Sequence, residues 1–208
     1  MDKTKVSEVA PPDVQVLKDK LNELVRHATV SRLKIHTDSD EVETKALDSS
    51  FRPGKILASN MVFILVSGDA LRLTFKIHFN TRTGRNLALR IYGGKSAADI
   101  SEKQAIDYFK EYGNLVAGSV ITLLGENNIE LGISLPLCTR GFYEVFSDYT
   151  EKQHPVINYS HFWELHVKEQ TVFCSAQYEI LNIKPFETLV EYEISEDASG
   201  DDGEMDFL

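Results

Sequence analysis

The chain has 208 residues, of which 42% are hydrophobic and 26% are charged, and its formal net charge is −10. This composition is typical of one soluble globular domain with tails, and it offers no basic patch of the kind that binds nucleic acid. No run approaches the roughly 18 apolar residues of a membrane span, and the two isolated cysteines, outside any CxxC motif, favour free thiols in a cytoplasm.

The negative charge is concentrated at the C-terminal end. After Lys184 there are nine Asp and Glu residues and no Lys or Arg, so the remainder of the chain is close to neutral at −1. We predict a disordered acidic tail over 186–208, a disordered N-terminal segment over 1–12 without the apolar core of a secretory signal, and a single domain over 13–185. The apolar end of the tail is either part of a solvated terminus, which we favour, or a short docking peptide; it consists of Met205, Phe207 and Leu208.

A helix opens the predicted domain. Asp13 is a suitable N-cap, and apolar residues follow at helical spacing to about Thr29. We then predict a short strand over 30–36 and a linker or weak strand over 37–54. The acidic residues in 37–54 lack the Gly and the terminal Glu of a calcium loop, so we do not expect a metal site there.

The clearest strands form a predicted hairpin. A continuous apolar run covers 61–66, the sequence Ser-Gly-Asp forms a turn, and apolar and polar residues alternate over 71–79. A short helix with Asn80 or Thr81 as its N-cap is expected to end at Gly93-Gly94.

Further strands are predicted over 129–135, 141–146, 156–167 and 171–181. The last two read as a terminal hairpin, whose edges we expect to be exposed. Strands, then helices, then strands again predict an α+β fold with an antiparallel β-sheet and helices packed on one face.

The most informative stretch is a long helix predicted from Ser101 to Gly125, with a capping box formed by Ser101 and Gln104. Most of its circumference is apolar, which is typical of a buried helix. The polar remainder is one narrow line within roughly 60° of the helix circumference, and it consists of Asp107, Glu111, Asn114 and Gly118.

Two explanations of this line are open. A helix lying on a sheet always shows some polar edge to water, and the pattern alone favours that explanation. Asn114 and Gly118 are both mildly unfavourable inside a helix, however, and they share the line at i and i+4. Asn114 offers a donor and an acceptor, and Gly118 permits close approach, so the line is a candidate docking face for a partner.

The residues of this line also carry a family resemblance. Asp107-x3-Glu111-x2-Asn114, continued by Leu-Val-Ala-Gly and by NIELGISL up to Pro136, resembles the signature of the CheC/CheX/FliY phosphatases. The tetrapeptide Glu-Tyr-Gly-Asn and the upstream context, FILVSGD and LRLTFKIHF followed by a Gly-Gly helix end, are similar to the CheX branch. The resemblance covers roughly residues 13 to 182, and a single ExxN motif is present, as in CheX.

The resemblance implies a function. Proteins of this family hydrolyse the aspartyl phosphate of the CheY response regulator. Asn114 would hold the attacking water in line with the phosphorus, Glu111 would pair with a lysine of the regulator, and Asp107 and Gly118 would belong to the contact surface.

The resemblance also implies the partners. We expect a phosphorylated CheY-like receiver domain, a homodimer, and neither nucleic acid nor membrane. We expect no cofactor of the chain's own, because the Mg²⁺ of the reaction is held by the substrate response regulator.

Two alternatives remain open. The chain could be a non-catalytic interaction module of the same fold in chemotaxis or flagellar-type signalling, like the related middle domain of a flagellar switch protein, or a structural dimer without a transient partner. Accessible Glu111 and Asn114 side chains would favour the phosphatase, whereas buried or occluded side chains would favour the alternatives. Motifs of other enzyme classes, such as HExxH, GxSxG and GxGxxG, are absent from the sequence.

Overall fold

A computed structural model describes residues 13–48, 58–140 and 155–194. Its α-helices are α1 (Val14–Thr37), α2 (Thr81–Tyr92) and α3 (Glu102–Gly125). Its strands are β1 (Val42–Ala46), β2 (Asn60–Ser67), β3 (Leu71–Phe79), β4 (Gly132–Ile133), β5 (Leu137–Arg140), β6 (Ile157–Val167) and β7 (Gln170–Ile180). Across these described ranges, none of the helices combines the length and apolar character needed to cross a membrane.

The strands form one antiparallel sheet in the order β1-β6-β7-β3-β2-β4, and β5 pairs with β2 on the same side as β4. The hairpin of β2 and β3 is confirmed, with Val62 opposite Ile77. The hairpin of β6 and β7 is also confirmed, with Val167 opposite Gln170.

The helices cover one face of this sheet. On the β6–β7 half, the Tyr178 hydroxyl donates to the Leu21 carbonyl of α1 at 3.4 Å, and the indole Nε1 of Trp163 donates to Thr29 Oγ1 at 3.3 Å. On the β2–β3 half, the ring of Phe79 stacks on Phe109 of α3 with centroids 4.0 Å apart. The predicted fold class, an α+β fold with an antiparallel sheet and helices packed on one face, is therefore confirmed.

Large side chains between the helices and the sheet hold the two layers together. Fully burying each of them contributes about 1.5–3 kcal/mol. The largest that are essentially inaccessible to water are aromatic: Phe75, Phe79, Tyr108, Phe109, Tyr112, Trp163, Tyr178 and Phe186.

The first helix is longer than predicted. The Asp13 side chain accepts from Gln15 N at 2.7 Å and caps α1 as expected, but residues 30–36 continue the helix, so the predicted strand there is wrong. The segment Val-Ser-Arg-Leu-Lys-Ile-His fits a period of two about as well as a helical period. The helical conformation buries Leu33 and His36, and this burial stabilises the helix over a strand. The helix ends at Thr37, and Asp38 caps it in the left-handed backbone conformation.

The strands after α3 also differ from the prediction. Only Gly132 and Ile133 of the predicted strand 129–135 pair with β2, and β5 follows where no strand was predicted. The expectation of exposed edges on the terminal hairpin is wrong, because β1 covers β6 and β3 covers β7. The exposed edges of the described sheet are β1 on one side and β4 with β5 on the other.

The packed part of the chain extends past the predicted boundary at residue 185. Short 3₁₀ turns at Lys184–Phe186 and Leu189–Glu191 bring Phe186 and Leu189 into fully buried positions. The Tyr192 hydroxyl then donates to Glu126 Oε2 at 2.5 Å, at the end of α3. These contacts form because three apolar or aromatic side chains interrupt the acidic sequence.

Some predictions fall outside the described residues. They are the N-terminal segment 1–12, the later part of the 37–54 linker, the strand 141–146 and the tail from residue 195 onward. The earlier part of that linker contains β1, which pairs with β6.

Candidate functional site

The polar line on the long helix exists as predicted. The capping box of Ser101 and Gln104 starts α3, with Gln104 N donating to Ser101 Oγ at 3.2 Å and Ser101 N donating to Gln104 Oε1 at 2.9 Å. The opposite side of the helix is buried against α1 and the sheet. We call the line the α3 stripe; its four members are partly exposed, and they are Asp107, Glu111, Asn114 and Gly118.

Short contacts fix the position of this helix. The Tyr112 hydroxyl donates to the Thr29 carbonyl of α1 at 2.8 Å in a fully buried position. About two turns further along α3, Ser119 Oγ accepts a hydrogen bond from Arg32 Nε of α1 at 2.6 Å. Because Tyr112 and Ser119 lie on either side of Asn114 and Gly118 along the helix, both bonds restrict the rotation of α3 that would turn the stripe away from solvent.

Two glycines of α3 have opposite surroundings. A Cβ added to Gly113 would lie 3.2 Å from Ile64 Cδ1 and 3.3 Å from Ile77 Cδ1, so this glycine lets the helix lie close to β2 and β3. A Cβ added to Gly118 would meet nothing within 4 Å. Gly113 therefore serves packing, whereas Gly118 leaves a flat spot on the surface beside Asn114.

The polar side-chain groups of the stripe do not contribute to the hydrogen bonds and ion pairs that stabilise the described part of the fold. Among the described residues, the recorded hydrogen bonds and ion pairs include none to the side chains of Asp107, Glu111 or Asn114. The side chains of a helix residue and of the residue three positions later lie roughly 5–6 Å apart at Cβ on the same face. Glu111 and Asn114 therefore present a carboxylate and an amide side by side to an approaching molecule.

A tyrosine that the sequence did not single out borders this stripe. Burial and then the neighbouring carboxylates of Asp107 and Glu111 raise the pKa of Tyr92, the last residue of α2. Its hydroxyl therefore keeps its proton near neutral pH and adds a donor beside two acceptors. The only signal in the sequence was its position before the Gly93 helix end, which does not reveal that α2 ends beside the middle of α3.

Other reactive groups lie elsewhere in the described structure. His161 faces the helices and stacks on Trp163, whereas His166 lies on the other face of the sheet and contacts Glu164 at 3.1 Å. Burial raises the pKa of the Cys174 thiol and of the half-buried Cys138 thiol, and neither forms a disulfide. Within the described ranges no three His, Cys, Asp or Glu side chains are grouped so that they could hold a metal ion.

The stripe can bind another molecule and orient a water molecule. The carboxylate of Glu111 can pair with a cation on another molecule, and the amide of Asn114 can both donate to and accept from a water molecule. A rigid helix that carries these two groups is suited to enter a reactive site that another protein provides.

Comparison with known proteins bears on the family resemblance. The family model described as "Chemotaxis phosphatase CheX" matches residues 61–158, a span that includes the whole of α3. The resemblance to the CheC/CheX/FliY family is confirmed. No curated protein matches the chain.

Solved structures share the fold of this CheX-like chain. A CheC-like superfamily protein from Shewanella sp. PV-4 has a TM-score of 0.57 and 13% identity, covering 77% of this chain and 97% of that chain. Chemotaxis protein CheX from Vibrio vulnificus has a TM-score of 0.55 and 14% identity, covering 76% and 96%. The Borrelia burgdorferi CheX-CheY-BeF3-Mg²⁺ complex gives a TM-score of 0.55 at 14% identity, again covering 76% and 96%. At such identities the likeness shows a CheX-like fold.

Proposed function

We propose that this CheX-like chain is a phosphatase for the aspartyl phosphate of a CheY-like response regulator. One observation carries the proposal. On α3 of this fold, the side chains of Glu111 and Asn114 are partly exposed, and they take no part in the hydrogen bonds and ion pairs seen among the described residues. The Borrelia burgdorferi CheX, which shares the fold, occurs in a complex with CheY, BeF3 and Mg²⁺. The family and this complex support a role in chemotaxis signalling through a CheY-like partner.

Asn114 is the proposed catalytic residue. Phosphoryl transfer leaves little covalent work for a helper protein, so positioning the attacking water in line with the phosphorus can be its main contribution. A lowering of the barrier by about 2.7 kcal/mol accelerates a reaction about 100-fold. One amide on a helix that is fixed by Tyr112 and Ser119 is enough for an effect of that size.

Glu111 is the proposed docking residue. Its carboxylate pairs with a lysine of the receiver and thereby sets the register in which Asn114 reaches the phosphoryl group. Asp107 and Gly118 belong to the contact surface, one turn before Glu111 and one turn after Asn114. The Mg²⁺ belongs to the receiver, so the chain needs no cofactor of its own.

The decisive measurement is the loss of phosphate from a phosphorylated receiver with and without the protein. Asn114→Ala should lower the rate enhancement about 100-fold while leaving the thermal unfolding curve nearly unchanged, since the side chain is partly exposed and unbonded. Thr122→Ala, an exposed residue two turns further along the same helix, is the matched control and should keep wild-type activity.

Glu111 is tested by binding as well as by rate. Glu111→Gln should weaken association with the receiver and should lower kcat/KM more than kcat, because the pairing is made in the ground state too. Wild-type dephosphorylation by Asn114→Ala would refute the catalytic role. Retained binding to the receiver without any dephosphorylation by the wild-type chain would instead establish the non-catalytic interaction module.

The homodimer implied by the resemblance has a suitable surface on this chain. The edge formed by β4 and β5 exposes large apolar side chains, with Ile133 44%, Leu135 83% and Leu137 56% exposed. Edge β1 is polar by comparison, so we place a two-fold contact on the β4–β5 edge. Leu137→Lys should then shift the protein from dimer to monomer in sedimentation velocity, and Lys45→Glu on β1 should not. We propose a cytoplasmic location, where a receiver domain would be met.

A further inference from the structure

Two lysines lie along one side of the α3 stripe. At about 100° per residue, Lys110 lies about 40° from Asn114 around the helix and one turn before it, on the side opposite to Glu111. Residues three and four positions apart are neighbours on a helix surface, so Glu111 and Lys110 both adjoin Asn114. Lys103 lies on the same side as Lys110, two turns nearer the start of the helix. Asn114 therefore lies between an acidic neighbour and a basic one.

Both lysines can contact another molecule. Lys103 is exposed and Lys110 is partly exposed. Among the described residues, the recorded ion pairs include neither of them. A lysine carries its charge at the end of a long flexible stem, so the ammonium group of Lys110 can reach a group that is bound at Asn114.

The charge on α3 changes sign across the stripe. The two carboxylates of the stripe lie on the side of α2, where burial and these carboxylates raise the pKa of Tyr92. On the other side lies β5, which Arg140 joins to Glu102 of α3 through an ion pair of 3.2 Å. Burial raises the pKa of the Cys138 thiol on β5, and the charges of Lys110 and Arg140 act against this rise. The ammonium group of Lys110 thus lies on the β5 side.

This change of sign meets a requirement of the proposed reaction. A phosphoryl group is negatively charged, so two carboxylates on the approaching helix repel it. In phosphoryl transfer the attacking water lies in line with the bond that breaks, whereas the charge is spread over the equatorial oxygens around that line. While Asn114 holds the water, a cation beside Asn114 can therefore reach an equatorial oxygen and stabilise the transition state.

We propose that Lys110 binds a phosphoryl oxygen of the receiver, an assignment that rests on the proposed function. Its ammonium group offsets the charge of Asp107 and Glu111 at the point where the phosphoryl group approaches. The receiver then docks with its phosphoryl group towards β5 and its lysine towards α2, so Glu111 and Lys110 set its orientation from opposite sides of Asn114. Lys103 lies about 16 Å before Asn114 along the helix axis, which is too far to contact the same group.

Binding measurements separate a phosphoryl contact from general attraction. Isothermal titration calorimetry compares a CheY-like receiver in Mg²⁺ alone with the same receiver in Mg²⁺ and BeF3, a phosphoryl analogue. Lys110→Met should weaken binding of the BeF3 form about tenfold and change binding of the Mg²⁺ form less than about twofold, whereas Lys110→Arg should keep most of the preference. Lys103→Met removes the same charge from the same side of α3, and as the matched control it should leave the ratio of the two affinities unchanged.

Catalysis gives a second measurement. Lys110→Met should lower kcat for dephosphorylation about tenfold, because the contact strengthens as charge develops in the transition state. Lys103→Met should lower only kcat/KM, and only at low salt, where long-range attraction is least screened. The thermal unfolding curves of both variants should stay close to that of wild type, since both side chains are at least partly exposed.

Three results would overturn the assignment of Lys110. They are no preference of the wild-type chain for the BeF3 form, an unchanged preference in Lys110→Met, and an equal loss of affinity for both forms, which would leave only long-range attraction. A wild-type chain that prefers the BeF3 form through Lys110 but does not hydrolyse the aspartyl phosphate would refute the proposed phosphatase and leave the phosphoryl contact intact. Dephosphorylation by wild type together with an unchanged preference in Lys110→Met would refute this inference alone.

Discussion

Two glycines on α3 allow a matched test of how the helix is built. Gly113 faces the sheet, where an added methyl group would lie 3.2 Å from Ile64 Cδ1, and Gly118 faces open space. Both lie in the helix interior, where Ala is favoured over Gly by about 1 kcal/mol. The same substitution, Gly→Ala, should therefore stabilise the fold at Gly118 but not at Gly113, only five residues away.

The magnitudes follow from the two environments. Gly118→Ala keeps the full gain of about 1 kcal/mol, which raises Tm by about 2–4 °C for a domain of this size. Gly113→Ala has the same gain, but an extra methyl group in a packed core costs about 1–3 kcal/mol. The net effect at this position runs from neutral to about 2 kcal/mol destabilising, so the two variants should differ by about 1–3 kcal/mol.

Thermal and urea unfolding followed by circular dichroism measures both variants against wild type. A lower Tm for Gly118→Ala, or an equal rise of Tm for Gly113→Ala, would refute the assignment of one glycine to packing and the other to a surface. Gly118→Gln extends the test to docking: it should leave Tm at or above the wild-type value while weakening association with the receiver, because the longer side chain fills the flat spot beside Asn114.

Three further outcomes are expected. Burial, together with the nearby Arg32 and Arg90, lowers the pKa of His36 from 6.5 to about 4, and burial lowers the pKa of His78 on β3 to about 4 as well. As pH falls from 6.5 towards 4, the unfolded chain therefore takes up protons before the folded chain does, and each histidine should remove on the order of 2 kcal/mol of unfolding free energy between pH 7 and pH 5. Urea unfolding measured across this pH range should show a flatter pH dependence in His36→Phe, and an unchanged slope would contradict this. Tyr112→Phe removes the donor to the buried Thr29 carbonyl and should cost about 1–3 kcal/mol in urea unfolding, with no loss expected only if that carbonyl finds another donor. Gly68→Ala would place a Cβ 2.2 Å from the Glu130 carbonyl oxygen, so it should lower Tm clearly more than Gly113→Ala, and a wild-type Tm would show that the loop moves freely.

The candidate site could be predicted because it depends on one helix. The capping box at Ser101 and the unbroken apolar periodicity fix both the start and the phase of α3, and the phase alone places Glu111 and Asn114 on one line. Tyr92 could not be predicted in the same way. Its place beside the stripe depends on how α2 packs against α3, and no periodicity within either helix encodes that.

The errors in the fold have the same origin. Residues 30–36 fit a strand or a helix by local pattern, and only the burial of Leu33 and His36 against other elements selects the helix. The short strand Leu137–Arg140 has little strand character of its own and forms because it lies along the open side of β2. Which edges of the sheet are exposed depends on strand order, which a list of strands in sequence cannot supply.

The position of β7 has a consequence for how the protein is made. This strand, residues 170–180, lies between β6 and β3, so the sheet remains in two pieces until it arrives, about a hundred residues after β3 has left the ribosome. Helix α1, synthesised first, packs mainly on α3, but the partners of its Thr29 and Leu21, Trp163 and Tyr178, lie on β6 and β7. During synthesis the open edge of β3 and this part of α1 are therefore exposed together, and we expect the nascent chain to depend on chaperones until residue 180 has emerged.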